Sequence, residues 1–235
     1  MQNQVIVSTE KLRGDYNRLR RIITNLDEYI VTPHILRVEQ SLAENRNQYD
    51  FDLIENSSSD RPLEQKLNRN DMFVILYIRL GIAKQNEVAG DYANYPLFTY
   101  VDGNYFAAAG AAAALRTIFN GKLTLKTDNV DRLQDYRTNL LEYVPERGYL
   151  NASGDQTAPE FPQMGPSLEQ KGFLPVVPNI VLSGQQNNKI QLELGEGTYT
   201  AIGNSAGDET NLVAIELFGY QINNAAEASI RSRAY

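Results

Sequence analysis

The chain has no cysteine, no tryptophan and a single histidine, His34, in 235 residues. Without cysteine there is no disulfide and no thiolate metal ligand, and with one histidine a zinc site of three or four His/Cys ligands cannot be assembled. Serine hydrolase chemistry needs a histidine beside its nucleophile. His34 stands next to Pro33 at a helix end, and nothing around it has the GxSxG pattern. No run approaches eighteen consecutive apolar residues, so no helix is expected to span a membrane. The start, "MQNQVIVSTEK", lacks the basic opening and apolar stretch of a secretory signal, so synthesis in the cytoplasm without export is expected. Positive charge is also short: 22 Lys and Arg against 29 Asp and Glu leave a formal charge of −7. An acidic surface repels phosphate backbones, which makes nucleic-acid binding by the body unexpected.

What is present begins with a helical pattern. Across residues 8–30, Leu12, Tyr16, Leu19, Ile23, Leu26 and Ile30 step by three or four and form one apolar stripe. Lys11, Arg13, Arg18, Arg20 and Arg21 occupy the other side. Such a helix fits packing on the body or a neighbouring subunit, a membrane surface, or nucleic acid, in falling order. The pattern of residues 33–48 fits either a short helix or an extended arm.

From Asp71 the texture changes. "DMFVILYIRLGIA" is apolar on both faces, as a central strand covered on both sides would be, with Arg79 near its end. "AAAGAAAALRTIF" predicts a short buried helix closed by Asn120 and Gly121. "VDRLQDYRTNLLEYV" has helical spacing through Leu133, Tyr136, Leu140 and Leu141. Residues 145–178, rich in proline and glycine, predict a long loop of the kind that carries interactions. In "NNKIQLELGEGTY", Ile190, Leu192 and Leu194 alternate with polar residues, which predicts a strand with one face on a core.

Strands are thus expected near 49–54, 72–83, 97–101, 122–126, 179–183, 189–194, 198–202 and 211–222. They do not alternate regularly with helices, which disfavours a doubly wound parallel sheet. The expected class is mainly β: an antiparallel jelly-roll sandwich with an N-terminal amphipathic helix and two short internal helices. It divides into an N-terminal helix and arm (1–48), the sandwich (49–222) and a polar tail (223–235). Two stacked barrels would need about sixteen strands, for which the roughly 190 residues after the first helix are short, so one barrel is expected, with two as the alternative.

Signals for chemistry are sparse. Asp102 with Asn104, and Asp208 with Glu209 and Asn211, put hard oxygen donors in turns, a pattern shared by calcium loops and by ordinary turns. Glycoside hydrolysis would need paired acids flanking a cleft, and Glu193 and Glu216 sit on expected strands. Each is the polar member of an alternating run, which assigns it to the solvent face. Neither catalytic residues nor a cofactor or metal ion are expected. Fourteen tyrosines are more informative. Tyr92, Tyr95, Tyr100 and Tyr105 cluster in 85–106, and rings with a polar tip suit protein interfaces.

The leading helix, "DMFVILYIRLGI", "GFLPVVPNIVLSG" after a long loop, and the pair "NKIQLELGEG" and "NLVAIELFGYQI" together resemble jelly-roll virion proteins of tailless icosahedral bacterial viruses. The resemblance covers roughly residues 63–222 as strand order and texture. It implies a capsid subunit without catalytic residues, located in the virion. Its partners would be copies of itself as a trimer or larger oligomer, other virion proteins, and an internal membrane touched by the N-terminal segment. Leu12, Tyr16, Leu19, Ile23, Leu26, Ile30, Tyr92, Tyr95 and Tyr105 are the expected interface residues. The alternative is a carbohydrate- or receptor-binding jelly roll, monomeric or trimeric. Deleting residues 1–30 is expected to impair a shell subunit's assembly and leave its barrel folded.

Overall fold

A computed structural model describes residues 9–55, 61, 63–85, 96–144, 172–203 and 209–225. Two antiparallel four-stranded sheets dominate it. The strands are β1 (Val31–Ser41), β2 (Gln48–Asp52), β3 (Met72–Gln85), β4 (Lys122–Thr127), β5 (Val130–Arg137), β6 (Leu174–Ser183), β7 (Asn188–Glu193) and β8 (Thr210–Ile222). Two α-helices, α1 (Thr9–Ile22) and α2 (Ala111–Phe119), and two 3₁₀ turns, Leu26–Glu28 and Thr138–Leu141, complete the described elements. One sheet has the order β1-β8-β3-β6 and the other β2-β7-β4-β5.

The inner faces follow the alternation in the sequence. Ile190 and Leu192 of β7, Leu123 and Leu125 of β4, and Phe51 of β2 meet Leu36, Val38, Phe73, Ile75, Leu80, Ile215 and Leu217 of the opposite sheet in one buried core. Leu194 joins them just past β7, as its spacing predicted. The outer face of β2-β7-β4-β5 is polar and open. One row across it runs Asp52, Lys189, Lys126, Asp131 in register. The outer face of β1-β8-β3-β6 is instead covered, which is why β3 and β8 are apolar on both sides. Leu19, Ile23 and Leu26 lie there against Met72, Val74, Tyr77, Phe218, Tyr220 and Ile222, all buried.

Several expectations change. The apolar stripe of 8–30 is not one helix: α1 ends at Ile22, Asn25 takes a left-handed φ of 56°, and a 3₁₀ turn follows. Residues 31–41 form β1, paired along its whole length with β8, so the sheet begins well before residue 49. The segment 130–144 is not an α-helix but the strand β5 followed by the 3₁₀ turn Thr138–Leu141. Its β5 is bulged, so Leu133 and Tyr136 both pack toward the core although they stand three residues apart, with Asp135 at φ 48° between them. An inserted bulge residue turns a two-residue repeat into a three-residue one, which reads as helical.

Phe98 makes one bridge with Ile82 in place of a strand over 97–101, and 198–202 is a turn whose Tyr199 and Ile202 pack on the core. The expected loop to 178 gives way to strand from Leu174; its residues 145–171 lie outside the described part. So do residues 226–235 of the tail, whose first residues are fastened to the body by Asp71 Oδ1, which accepts from the Asn224 amide at 2.8 Å.

Candidate interaction surfaces

The covered sheet face carries a charged row between two apolar zones. In register, Arg37 of β1 faces Glu216 of β8, which faces Arg79 of β3. Arg37 Nη1 donates to Glu216 Oε1 at 3.0 Å and Arg79 Nε to Oε2 at 2.7 Å, with a second contact from Arg79 Nη2. Arg37 also donates to Glu39 Oε1 at 2.6 Å, and the Arg79 guanidinium stacks 4.4 Å above the Phe173 ring. Glu39 and Glu216 are only 3% and 5% exposed. Glu216 therefore does not sit on a solvent face beside Glu193, and its carboxylate is occupied by two arginines. Nearby, Glu64 accepts from the amides of Glu39 and Arg61 at 3.0 and 2.8 Å and lies 3.2 Å from Lys66 Nζ. The row is a clamp across three strands. The signal was in the sequence: "ILRVE" places two charges, and "YIRLG" and "AIELF" one each, among apolar residues.

The expected interface residues divide. Leu19, Ile23 and Leu26 are buried against the chain's own sheet, whereas Ile30 is 67% exposed. Tyr16 packs partly against the same cluster, and its hydroxyl donates to Asp27 Oδ1 at 3.1 Å, where Arg20 Nη2 also donates at 2.6 Å. Deleting residues 1–30 would thus uncover Met72, Val74, Phe218 and Tyr220, so it tests the fold as much as assembly. Tyr105 is half-buried in an aromatic cluster, its ring 4.6 Å from Phe98 and 5.0 Å from Phe106, with Lys84 Nζ 4.7 Å above it. The Leu12 side chain, Tyr92 and Tyr95 lie outside the described part.

Turn candidates for a cation are also placed. Asp102 Oδ1 accepts from the amides of Asn104 and Tyr105 at 2.8 and 3.2 Å, which closes the turn. Glu209 lies 3.2 Å from Lys84, and Asp208 is outside the described residues. Among the described residues, no group of three or more His, Cys, Asp or Glu side chains could hold a metal ion. The letters "GNSAG", 203–207, match a nucleophile elbow, but an elbow leads from strand into helix, and this stretch leads into β8. No helix among the described residues is long and apolar enough to cross a membrane.

His34 is half-buried on β1, edge-on to Phe73 at 6.5 Å between ring centroids. Burial holds its pKa below the usual 6.5, and the nearby Asp71 charge opposes this only partly. The fold prefers the neutral ring, so between the folded pKa and about 6.5 the unfolded chain binds more protons. This contribution to stability is complete above that window and is lost as pH falls through it. Urea unfolding of the wild type and His34→Gln at about pH 7.5 and about pH 5.5 should show the balance shifting against the wild type at the lower pH. An unchanged difference would mean the ring titrates as if exposed.

The sheet edges are each blunted. β2 has five residues, β5 is bulged, β6 carries Pro175 and Pro178, and Gln65 exchanges backbone hydrogen bonds with Arg37 at the free edge of β1. No protein-family model, curated protein or solved structure matches the chain.

Proposed function

We propose that this chain is a jelly-roll capsid subunit that self-assembles into the icosahedral shell of a tailless bacterial virus. The observation that carries the reading is strand pairing. β1 with β8, β2 with β7, β3 with β6 and β4 with β5 all run antiparallel, in the orders β1-β8-β3-β6 and β2-β7-β4-β5. A long antiparallel ribbon whose two limbs are rolled into facing sheets would produce that order, and this supports a jelly roll. With all four edges blunted, copies would meet through loops and side-chain surfaces, and Ile30, Leu140, Val144 and Val177 offer apolar contact there. The work of such a protein is geometric: repeated interfaces between identical copies close a shell. The partners are further copies, as a trimer or more, and other virion proteins. The N-terminal segment ahead of Leu19, whose stripe beyond that point packs on the chain's own sheet, would reach a neighbour or an internal membrane, and the place of action is the virion.

A carbohydrate-binding module would want aromatic rings on its open sheet. Among the described residues of β2-β7-β4-β5, Tyr49 is buried and Tyr136 packs on the core, so neither forms a platform.

The test uses the excursion 145–171. Its two ends meet: a Cβ on Gly172 would lie 3.4 Å from Tyr143 Cβ, and Thr99 Oγ1 donates to the Tyr143 carbonyl at 2.5 Å. Replacing 147–170 by a short Gly/Ser linker should leave the thermal unfolding of the sandwich intact. Light scattering over a concentration series, with negative-stain images, should show trimers or shells for the wild type. The variant should need at least about tenfold more protein to associate. A wild type that stays monomeric at high concentration would overturn self-driven assembly.

A further inference from the structure

Asn120 and Gly121 close α2, and an Asn-Gly pair is chemically labile. The backbone nitrogen of the glycine can attack the asparagine side-chain carbonyl carbon, because no Cβ obstructs the approach. A Gly121 N–Asn120 Cγ bond forms, the Cγ–Nδ2 bond breaks, and ammonia leaves with the proton given up by the Gly121 amide. Water then opens the cyclic imide at either carbonyl, leaving aspartate or isoaspartate.

The fold makes the glycine of this pair unavoidable. Gly121 has no left-handed φ that would call for glycine. A Cβ there would instead fall on the Glu193 carbonyl oxygen and lie 3.1 Å from the Gly195 nitrogen. Asn120 is in turn backed by Gly195, whose own Cβ would sit 2.9 Å from Asn120 Cβ. Two backbones thus meet where α2 hands over to β4, and glycine is required for space. The Asn120 side chain itself is exposed.

The fold also holds the attacking atom. The Gly121 amide donates to Thr138 Oγ1 at 2.8 Å, and the Thr138 amide returns a hydrogen bond to the Gly121 carbonyl at 3.2 Å. Thr138 is fully buried, at 0% exposure. The nitrogen that must lose its proton and swing onto Asn120 Cγ is therefore tied through that proton to an oxygen shielded from water.

We propose that Asn120 is a deamidation site kept silent by the native fold, with the Thr138 hydroxyl as its guard. Reaction requires the contact between Thr138 and Gly121 to open, so its rate reports that local opening. Once formed, isoaspartate adds a backbone carbon at the contact with Gly195, and either product places a negative charge at the C-terminal end of α2, where the helix dipole opposes it.

The full chain, Thr138→Val and Thr138→Ser would be held at mildly alkaline pH and about 37 °C, natively and in urea, with peptide mapping for aspartate and isoaspartate at position 120. The native wild type should convert at least about tenfold more slowly than the urea-unfolded chain, as expected for reaction through rare opening. Thr138→Val, confirmed folded by its melting curve, should convert at least about threefold faster than the wild type, a loss of one neutral hydrogen bond. Thr138→Ser, which keeps the hydroxyl, should stay near the wild-type rate and separates the guard from a packing defect. Equal rates in native and unfolded wild type would overturn the protection. A folded Thr138→Val with the wild-type rate would overturn the role of the hydroxyl.

Discussion

Glu216→Ala is expected to lower the free energy of unfolding by about 3–5 kcal/mol, the usual cost of removing one partner from a buried ionic group. The carboxylate spans two neighbouring strands, since Oε1 accepts from Arg37 and Oε2 from Arg79. The guanidinium groups are themselves largely covered, at 21% and 18% side-chain exposure. Arg37 keeps Glu39 after the change, at 2.6 Å from its Nε. Arg79 loses both of its contacts with Glu216 and retains the Phe173 ring beneath it. Urea unfolding measures the loss. The companion variant replaces Arg37, Glu39, Arg79 and Glu216 together by Met, Leu, Met and Leu, so that no carboxylate of the row is left buried without its arginine. It should be far closer to the wild type, because apolar side chains of similar volume avoid the cost of burying charge. A loss below about 1 kcal/mol for Glu216→Ala would show that water reaches the row, as at a surface pair.

Gly219→Ala should cost about 3 kcal/mol or more, the upper end of overpacking in a rigid core. Gly219 pairs with His34 on one side and Ile75 on the other, in the middle of the covered sheet. A Cβ there would fall on the Val74 carbonyl oxygen, 2.9 Å from the Val74 carbonyl carbon and 3.1 Å from Phe73 Cζ. The obstacle is backbone in the inner strand β3, at the place where its register shifts between Ile75 and Tyr77, so it cannot be rotated away. Gly81→Ala is the control. The nearest atoms to its Cβ would be those of the Leu97 side chain, Cγ at 2.6 Å and Cδ1 at 2.7 Å, and a side chain can turn aside where backbone cannot. Its loss should stay near about 1 kcal/mol. Comparable losses for both would mean that Leu97 is held as rigidly as the β3 backbone.

The contrast between these glycines shows where sequence reading stops. Both occur in apolar strands, and nothing local distinguishes one facing a carbonyl from one facing a leucine tip. The charged row is an intermediate case. Charges set among apolar residues in three strands are visible in the letters, but that Arg37, Glu216 and Arg79 meet depends on β8 lying between β1 and β3. Asp135 shows how a local irregularity misleads. Its left-handed backbone helps place Leu133 and Tyr136 on one side, and their spacing then imitates a helix.

The sequence by itself determined the composition of the chemistry and the periodicity of the regular strands. Lacking cysteine and having one histidine, it forbids disulfides and histidine-built zinc sites whatever the fold, because the ligands do not exist. The alternation in β4 and β7 and the two-sided apolar character of β3 also read directly, since a strand's side-chain period is local. Only the tertiary structure decided the rest. It made 31–41 a strand by pairing it with β8, turned Leu19, Ile23 and Leu26 onto the chain's own sheet, buried Glu216 between arginines, and required Gly121 beside Glu193. Each of these depends on residues far apart in the chain, and long-range contact leaves no periodic trace in the sequence.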